Sequence, residues 1–219
     1  MYDKINQKSN ELIEFMIEEK SKMKNIDITS LHYNKTVLII VDMVKGFSDY
    51  GLLSSPRVKK LVPSIVSLQR KCKESSIYTI AFVDNHTEQS IELKFRPKHC
   101  IKGTREDELV NEIKEVGIDK IISKNSTNGF VAKEFLNWLE ENEDRYDNFI
   151  VVGVCTDICI SQFVLTLKAY FNENNMDKRV IVPIDYVDTY DFGIHSGDIM
   201  NLISIYQMLD NGIEVIKDL

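Results

Sequence analysis

The stretch "VVGVCTDICI", residues 151–160, carries two cysteines, and Cys159 falls where an apolar run gives way to a pattern that a helix can continue. A thiol in the first turn of a helix faces unpaired backbone N–H groups and the positive end of the helix dipole, and both favour the thiolate. The same N–H groups can hold the oxyanion of a tetrahedral intermediate. Cys159 is therefore a candidate nucleophile for acyl transfer. Two more apolar runs end in groups that complete this chemistry: "TVLIIVD" closes on Asp42 and "KIISK" on Lys124. Asp42 is the candidate base, because a carboxyl raised by partial burial can exchange a proton with such a thiol, and Lys124 offsets its charge. Each residue also has an ordinary reading, as a loop cap, a solvated cation and a buried thiol. Nucleophile, base and cation on three strand ends together favour catalysis.

A second group lies in "VDNHTEQSIELKFRPKHC", residues 83–100. Asp84-x-His86 presents an oxygen and an imidazole on an extended turn, and His99 returns thirteen residues later. Two imidazoles and a carboxylate with open positions suit a divalent metal, zinc first, with manganese or iron also fitting. Glu92 is a candidate fourth ligand, direct or through water. The plainer reading makes these ordinary loop residues. His32 and His195 lie elsewhere in the chain.

These groups need a frame that brings strand ends to one mouth. Compact apolar runs occur at 36–42, 77–84, 120–124, 148–154, 179–185 and 213–217. Their near-continuous apolarity marks strands buried on both faces. Between them, residues 56–74, 104–117, 130–143, 158–174 and 195–211 have helical length and period. The alternation predicts an open, mostly parallel six-stranded sheet with helices on both faces, a three-layer Rossmann-like α/β fold. In such sheets ligands bind beyond the carboxyl ends of the strands.

The chain of 219 residues suits a single domain, 1–219, with residues 1–30 as an N-terminal helical extension whose stripe is Leu12, Ile13, Phe15 and Met16. That helix is expected to pack on its own sheet or on a second subunit of a homo-oligomer. A formal net charge of -7 argues against nucleic acid and anionic membrane partners. The start "MYDKINQKSNELIEF" lacks a secretory signal, no apolar segment is long enough to span a bilayer, and none of the four cysteines forms a Cys-x-x-Cys pair. The protein reads as cytoplasmic with free thiols.

"VDMVKGF", "SKNSTNGF" and "GVCTDICI" together resemble the isochorismatase-like cysteine hydrolases, from about Thr36 to Leu219. The resemblance places the nucleophile on Cys159 rather than Cys155, and implies a non-proline cis peptide between Val154 and Cys155. The backbone N–H groups of Cys155 and Cys159 would then form the oxyanion hole. The chain departs from many family amidases at Gly46, where they carry Asp. Asp84, His86, Glu92 and His99, with His99 just before "CIKGT", are similar to the metal set of the nicotinamidases. That similarity implies conversion of nicotinamide to nicotinate and ammonia through a thioester, with Phe47 and Phe130 as candidates to flank the ring. The rivals are another amide or carbamoyl hydrolase with the same Asp-Lys-Cys triad, and a catalytically silent scaffold.

Overall fold

The computed structural model describes residues 2–219. Five long strands and two short ones form a single parallel sheet: β1 (Thr36–Val41), β2 (Tyr78–Asp84), β3 (Lys120–Lys124), β4 (Asn148–Val154), β5 (Arg179–Pro183), β6 (Val187–Asp188) and β7 (Glu214–Ile216). The main path runs β3-β2-β1-β4-β5-β7, and β6 pairs with the far end of β4. The chain builds outward from β1 to β3 on one side and then from β4 on the other. The β1/β4 boundary is therefore a topological switch point, where such sheets open a crevice.

Side-chain alternation in β1 explains why it must be central. Leu38 and Ile40 enter one core, and Val37, Ile39 and Val41 enter the other. A strand with two apolar faces is stable only between two layers of helices. α3 (Pro56–Glu74) and α4 (Asn111–Val116) cover the first face. α5 (Lys133–Asn142), α6 (Ser161–Glu173) and α7 (Gly197–Asp210) cover the second. α3 begins where it does because Ser55 accepts a hydrogen bond from the Arg57 N–H and Pro56 occupies the first turn, where a missing N–H costs nothing. A four-residue helix, α2 (Lys45–Ser48), follows β1 and buries Phe47 at the mouth of the sheet. The N-terminal helix α1 (Tyr2–Lys22) packs against α7 of its own chain and buries Met16.

Three expectations need correction. The sheet has seven strands rather than six, because "RVIVPID" leaves the sheet at Pro183. It turns through a 3₁₀ segment, Ile184–Tyr186, and re-enters as the two-residue β6, too short to show a period. The helix expected at 104–117 spans only Asn111–Val116. Its polar first half is drawn into local side-chain bonds, with Thr104 Oγ1 donating to the Ile101 carbonyl and accepting from the Glu106 N–H. Such bonds compete with helix formation. The segment 158–174 begins as a π-helical turn, Thr156–Ile160, and becomes α-helical only from Ser161. Among the described residues, no helix is long and apolar enough to cross a membrane.

Candidate active site

The ends of β1, β2, β3 and β4 lie side by side, and the register fixes their order. Val41 is level with Phe82 and Gly153, and Asp84 is level with Lys124. Asp42, the next residue after β1, has φ 52°, a left-handed conformation that Asp tolerates better than most residues. Its N–H donates to the Phe82 carbonyl, which fixes the carboxylate over the mouth. Gly153, with φ 114°, permits the closest approach of two strands here. A Cβ at that position would sit 2.1 Å from the Val41 carbonyl oxygen. The Val154–Cys155 peptide that follows is cis, as the sequence resemblance implies. The π-helical turn then carries Cys159 back over the strand ends.

Asp42, Lys124 and Cys159 converge there, all nearly inaccessible to solvent. Lys124 Nζ lies 2.8 Å from Asp42 Oδ2, 2.9 Å from Asp84 Oδ1 and 3.1 Å from the Ser126 carbonyl, so its three protons are committed. Cys159 Sγ is 3.7 Å from the same nitrogen. Burial raises the Asp42 carboxyl to about 6, although Lys124 pulls it down. Asp84 is held well below the usual carboxylate range, with the Lys124 cation outweighing its burial. Two carboxylates and the Cys159 sulfur hold the Lys124 ammonium well above its ordinary value, against its burial.

The thiol departs from expectation. Burial, reinforced by Asp42 and Asp84, pushes Cys159 well above the ordinary thiol value, with Lys124 pulling the other way. Its place is in a buried π-helical turn rather than at an open helix N-terminus, so desolvation outweighs the dipole. The raised thiol sits beside the Asp42 carboxyl, so a thiolate there would have to form by proton transfer.

Next to this triad, Asp84 Oδ2 lies 3.2 Å from Nε2 of both His86 and His99. The two rings are 4.6 Å apart, and one ligand atom from each of the three residues falls within 4.8 Å of the others. Hydrogen bonding decides which nitrogens are bare. His99 Nδ1 faces the Pro97 carbonyl at 2.7 Å, an obligate acceptor, so the proton is on Nδ1. His86 Nδ1 lies 3.2 Å from Asn125 Oδ1, whose orientation is set by the bond it accepts from the Thr87 N–H. Both Nε2 lone pairs therefore point at one carboxylate oxygen, and buried His86 Nε2 has no hydrogen-bond partner. A cation among these three atoms resolves that arrangement, and the donor set fits zinc, manganese or iron. Glu92 is not part of the tight group. Its Oε2 accepts from the Thr127 N–H, and its Oε1 lies 3.4 Å from Arg96 Nε.

The cavity above these residues is walled by Phe47, Leu53, Ile158 and Tyr190, with Glu92, Arg96 and Thr127 as polar wall. Phe47 sits 5.8 Å from the His99 ring. Phe130 is elsewhere. Its ring packs on Phe135 and Tyr170 in the core between α5 and α6, because the 3₁₀ turn Gly129–Val131 directs it inward. Tyr190, Leu53 and Arg96 had no local signal in the sequence and reach the cavity only through tertiary folding. The departure at Gly46 is also explained. A Cβ there would lie 2.7 Å from Cys100 Sγ and 2.9 Å from the Glu106 carbonyl oxygen, so the 100–106 loop occupies the space that a side chain would need.

Residues 36–209 match the isochorismatase domain family. The chain is 30% identical over 178 residues to nicotinamidase 1 of Arabidopsis thaliana, covering 74% of this chain and 70% of that protein. Solved structures share the fold. Pyrazinamidase of Pyrococcus horikoshii, in complex with zinc, superposes with TM-score 0.68 at 24% identity over 84% of this chain and 99% of that one. N-carbamoylsarcosine amidase of Thermoplasma acidophilum gives TM-score 0.68 at 23% identity over 84% and 96%. With the family match spanning most of its length and the fold shared, this chain belongs to the isochorismatase family of hydrolases.

Proposed function

We propose that this chain, read as one hydrolase domain over 1–219 with residues 1–30 as a helical extension, is a nicotinamidase that hydrolyses nicotinamide to nicotinate and ammonia. The observation that carries the reading is the adjacency of two groups: the Asp42–Lys124–Cys159 triad and the Asp84–His86–His99 cluster, joined through the Lys124–Asp84 contact at 2.9 Å. The similarity to nicotinamidase 1 of Arabidopsis and the zinc complex of the Pyrococcus pyrazinamidase support it.

Asp84, His86 and His99 would hold a divalent metal, which supplies a Lewis-acid anchor for the pyridine nitrogen and so orients the ring. Phe47 and Tyr190 flank the ring, and the carboxamide lies over Cys159. The Asp42 carboxylate takes the thiol proton, and Lys124 stabilises both the carboxylate before transfer and the thiolate after it. The sulfur attacks the carboxamide carbon, and the N–H groups of Cys155 and Cys159 hold the oxyanion. Collapse breaks the C–N bond, with Asp42 returning its proton to the departing ammonia. Asp42 then takes a proton from water, which attacks the thioester and releases nicotinate and the thiol.

The test is ammonia release from nicotinamide by the purified protein, before chelation, after it, and after refilling with zinc, manganese or iron. Loss on chelation and recovery on refilling support the proposal. Release only from other small amides or carbamoyl compounds moves the chain to the rival hydrolase reading. No release from any amide, with Cys159 alkylating no faster than the other thiols, leaves the scaffold reading.

A further inference from the structure

His195 takes no part in the chemistry above, yet its ring ties together two parts of the site. Nδ1 lies 2.9 Å from the backbone carbonyl of Tyr190, and Nε2 lies 2.8 Å from Oδ2 of Asp157. The imidazole also stacks on the Tyr190 ring, 4.1 Å between centroids and 8° from parallel. Tyr190 is a wall of the cavity, and Asp157 sits two residues before Cys159 in the π-helical turn. The loop that carries Tyr190 and His195 is anchored separately. Phe192 and His195 exchange backbone hydrogen bonds, Asp191 accepts from the Gly197 N–H, and Arg57 of α3 reaches Asp188, Asp191 and Asp198.

We propose that His195 is a positioning residue that clamps the nucleophile turn to the cavity wall. The inference rests on Cys159 being the nucleophile, and is independent of which amide is the substrate. Both partners of the ring are acceptors, a carbonyl oxygen and a carboxylate oxygen, so only the doubly protonated ring donates to both. A neutral ring would keep its proton on Nδ1 for the carbonyl and turn a lone pair toward Asp157. The side chains of His195 and Asp157 are 20% and 5% exposed, so water replaces the lost bond poorly. The other charged and titratable groups around the ring are few. Asp191 lies on the same loop, Arg57 and Asp198 pair beyond it, and Arg96 approaches Tyr190 from the opposite wall. The clamp fixes Tyr190 for substrate binding and holds the turn that aims Cys159.

The experiment follows alkylation of Cys159 by iodoacetamide, read by mass spectrometry, with kcat and KM measured on an amide that the native protein hydrolyses. His195→Phe keeps a ring for the stack and removes both hydrogen bonds. It should slow Cys159 alkylation by about tenfold, the scale of one charge-assisted hydrogen bond, with a larger rise in KM than fall in kcat. Asp157→Ala should reproduce the deficit. Asp157→Asn should restore most of what Asp157→Ala loses, because its amide donates to a bare Nε2 or accepts from a protonated one. Alkylation and KM unchanged in folded His195→Phe would overturn the clamp, as would an Asp157→Asn as slow as Asp157→Ala. Failure of the native protein on nicotinamide, with these alkylation differences intact, would overturn the substrate reading and leave the clamp standing.

Discussion

Replacing Lys124 by Met tests the triad most severely, because the side chain keeps its volume and loses only its charge. In the native protein one ammonium stands 2.8 Å from Asp42 and 2.9 Å from Asp84, and all three side chains are at most 2% exposed. Removing one partner of a buried ion pair costs about 3–5 kcal/mol, because the remaining charge is left uncompensated. For a chain of this size each kcal/mol moves the melting temperature by roughly 2–4 °C, so Lys124→Met should melt about 6–20 °C lower at pH 7. The loss should shrink toward pH 5, where protonation relieves the stranded carboxylates. The sign follows from linkage: the variant raises the folded-state values of Asp42 and Asp84, so its penalty is largest when both are ionised and fades as they take protons. Activity should fall further than stability. Without Lys124, an Asp42 carboxyl already at about 6 rises higher and is protonated at neutral pH. General-base catalysis contributes about 10²–10⁴-fold, and that factor should be lost from kcat. Thermal melts by circular dichroism at pH 7 and pH 5, with kcat on the same samples, give both readings. A Lys124→Met protein melting within 2 °C of native, as roughly 1 kcal/mol or less would allow, and turning over at a similar rate would refute the electrostatic account of the triad.

Three further outcomes are expected. In the native protein kcat/KM should fall tenfold per pH unit below about 6, as Asp42 becomes protonated, and a flat profile down to pH 5 would remove it as the base. Asn125→Ala removes the acceptor that holds the His86 proton on Nδ1, so metal affinity should weaken by roughly 10–100-fold in a competition titration with a chromogenic chelator. Unchanged affinity would mean that Ser90, 3.2 Å from the same nitrogen, suffices. Gly46→Asp, which introduces the residue found in many family amidases, should destabilise this chain by about 1–3 kcal/mol, because its Cβ would meet Cys100 Sγ and the Glu106 carbonyl. A native melting temperature for that variant would show that the 100–106 loop yields freely.

What the sequence made legible was whatever a residue declares through its own neighbours. β1, β2 and β4 read correctly because they are buried on both faces, and a run such as "TVLIIVD" has few other uses. Asp42, Asp84 and Lys124 were legible as strand-end residues, since parallel strands in register must bring their ends together. Illegible were the features that depend on partners far away in the chain. Phe130 and Phe47 look alike as aromatics beside a motif, but a 3₁₀ turn sends one into the α5–α6 core while α2 sets the other against His99. The thiol of Cys159 was expected to be acidic because a helix start is visible in the sequence, whereas the burial that raises it comes from elements folded over the turn. His195 shows the same limit from the other side. Taken locally it is two residues before a helix, and it acquires a role only when Tyr190 and Asp157, each brought to within 3 Å of its ring by the fold, both present acceptors to it. Local pattern therefore locates the candidate reacting groups of this chain. Their protonation states and the walls around them are set by contacts between residues that the chain keeps far apart.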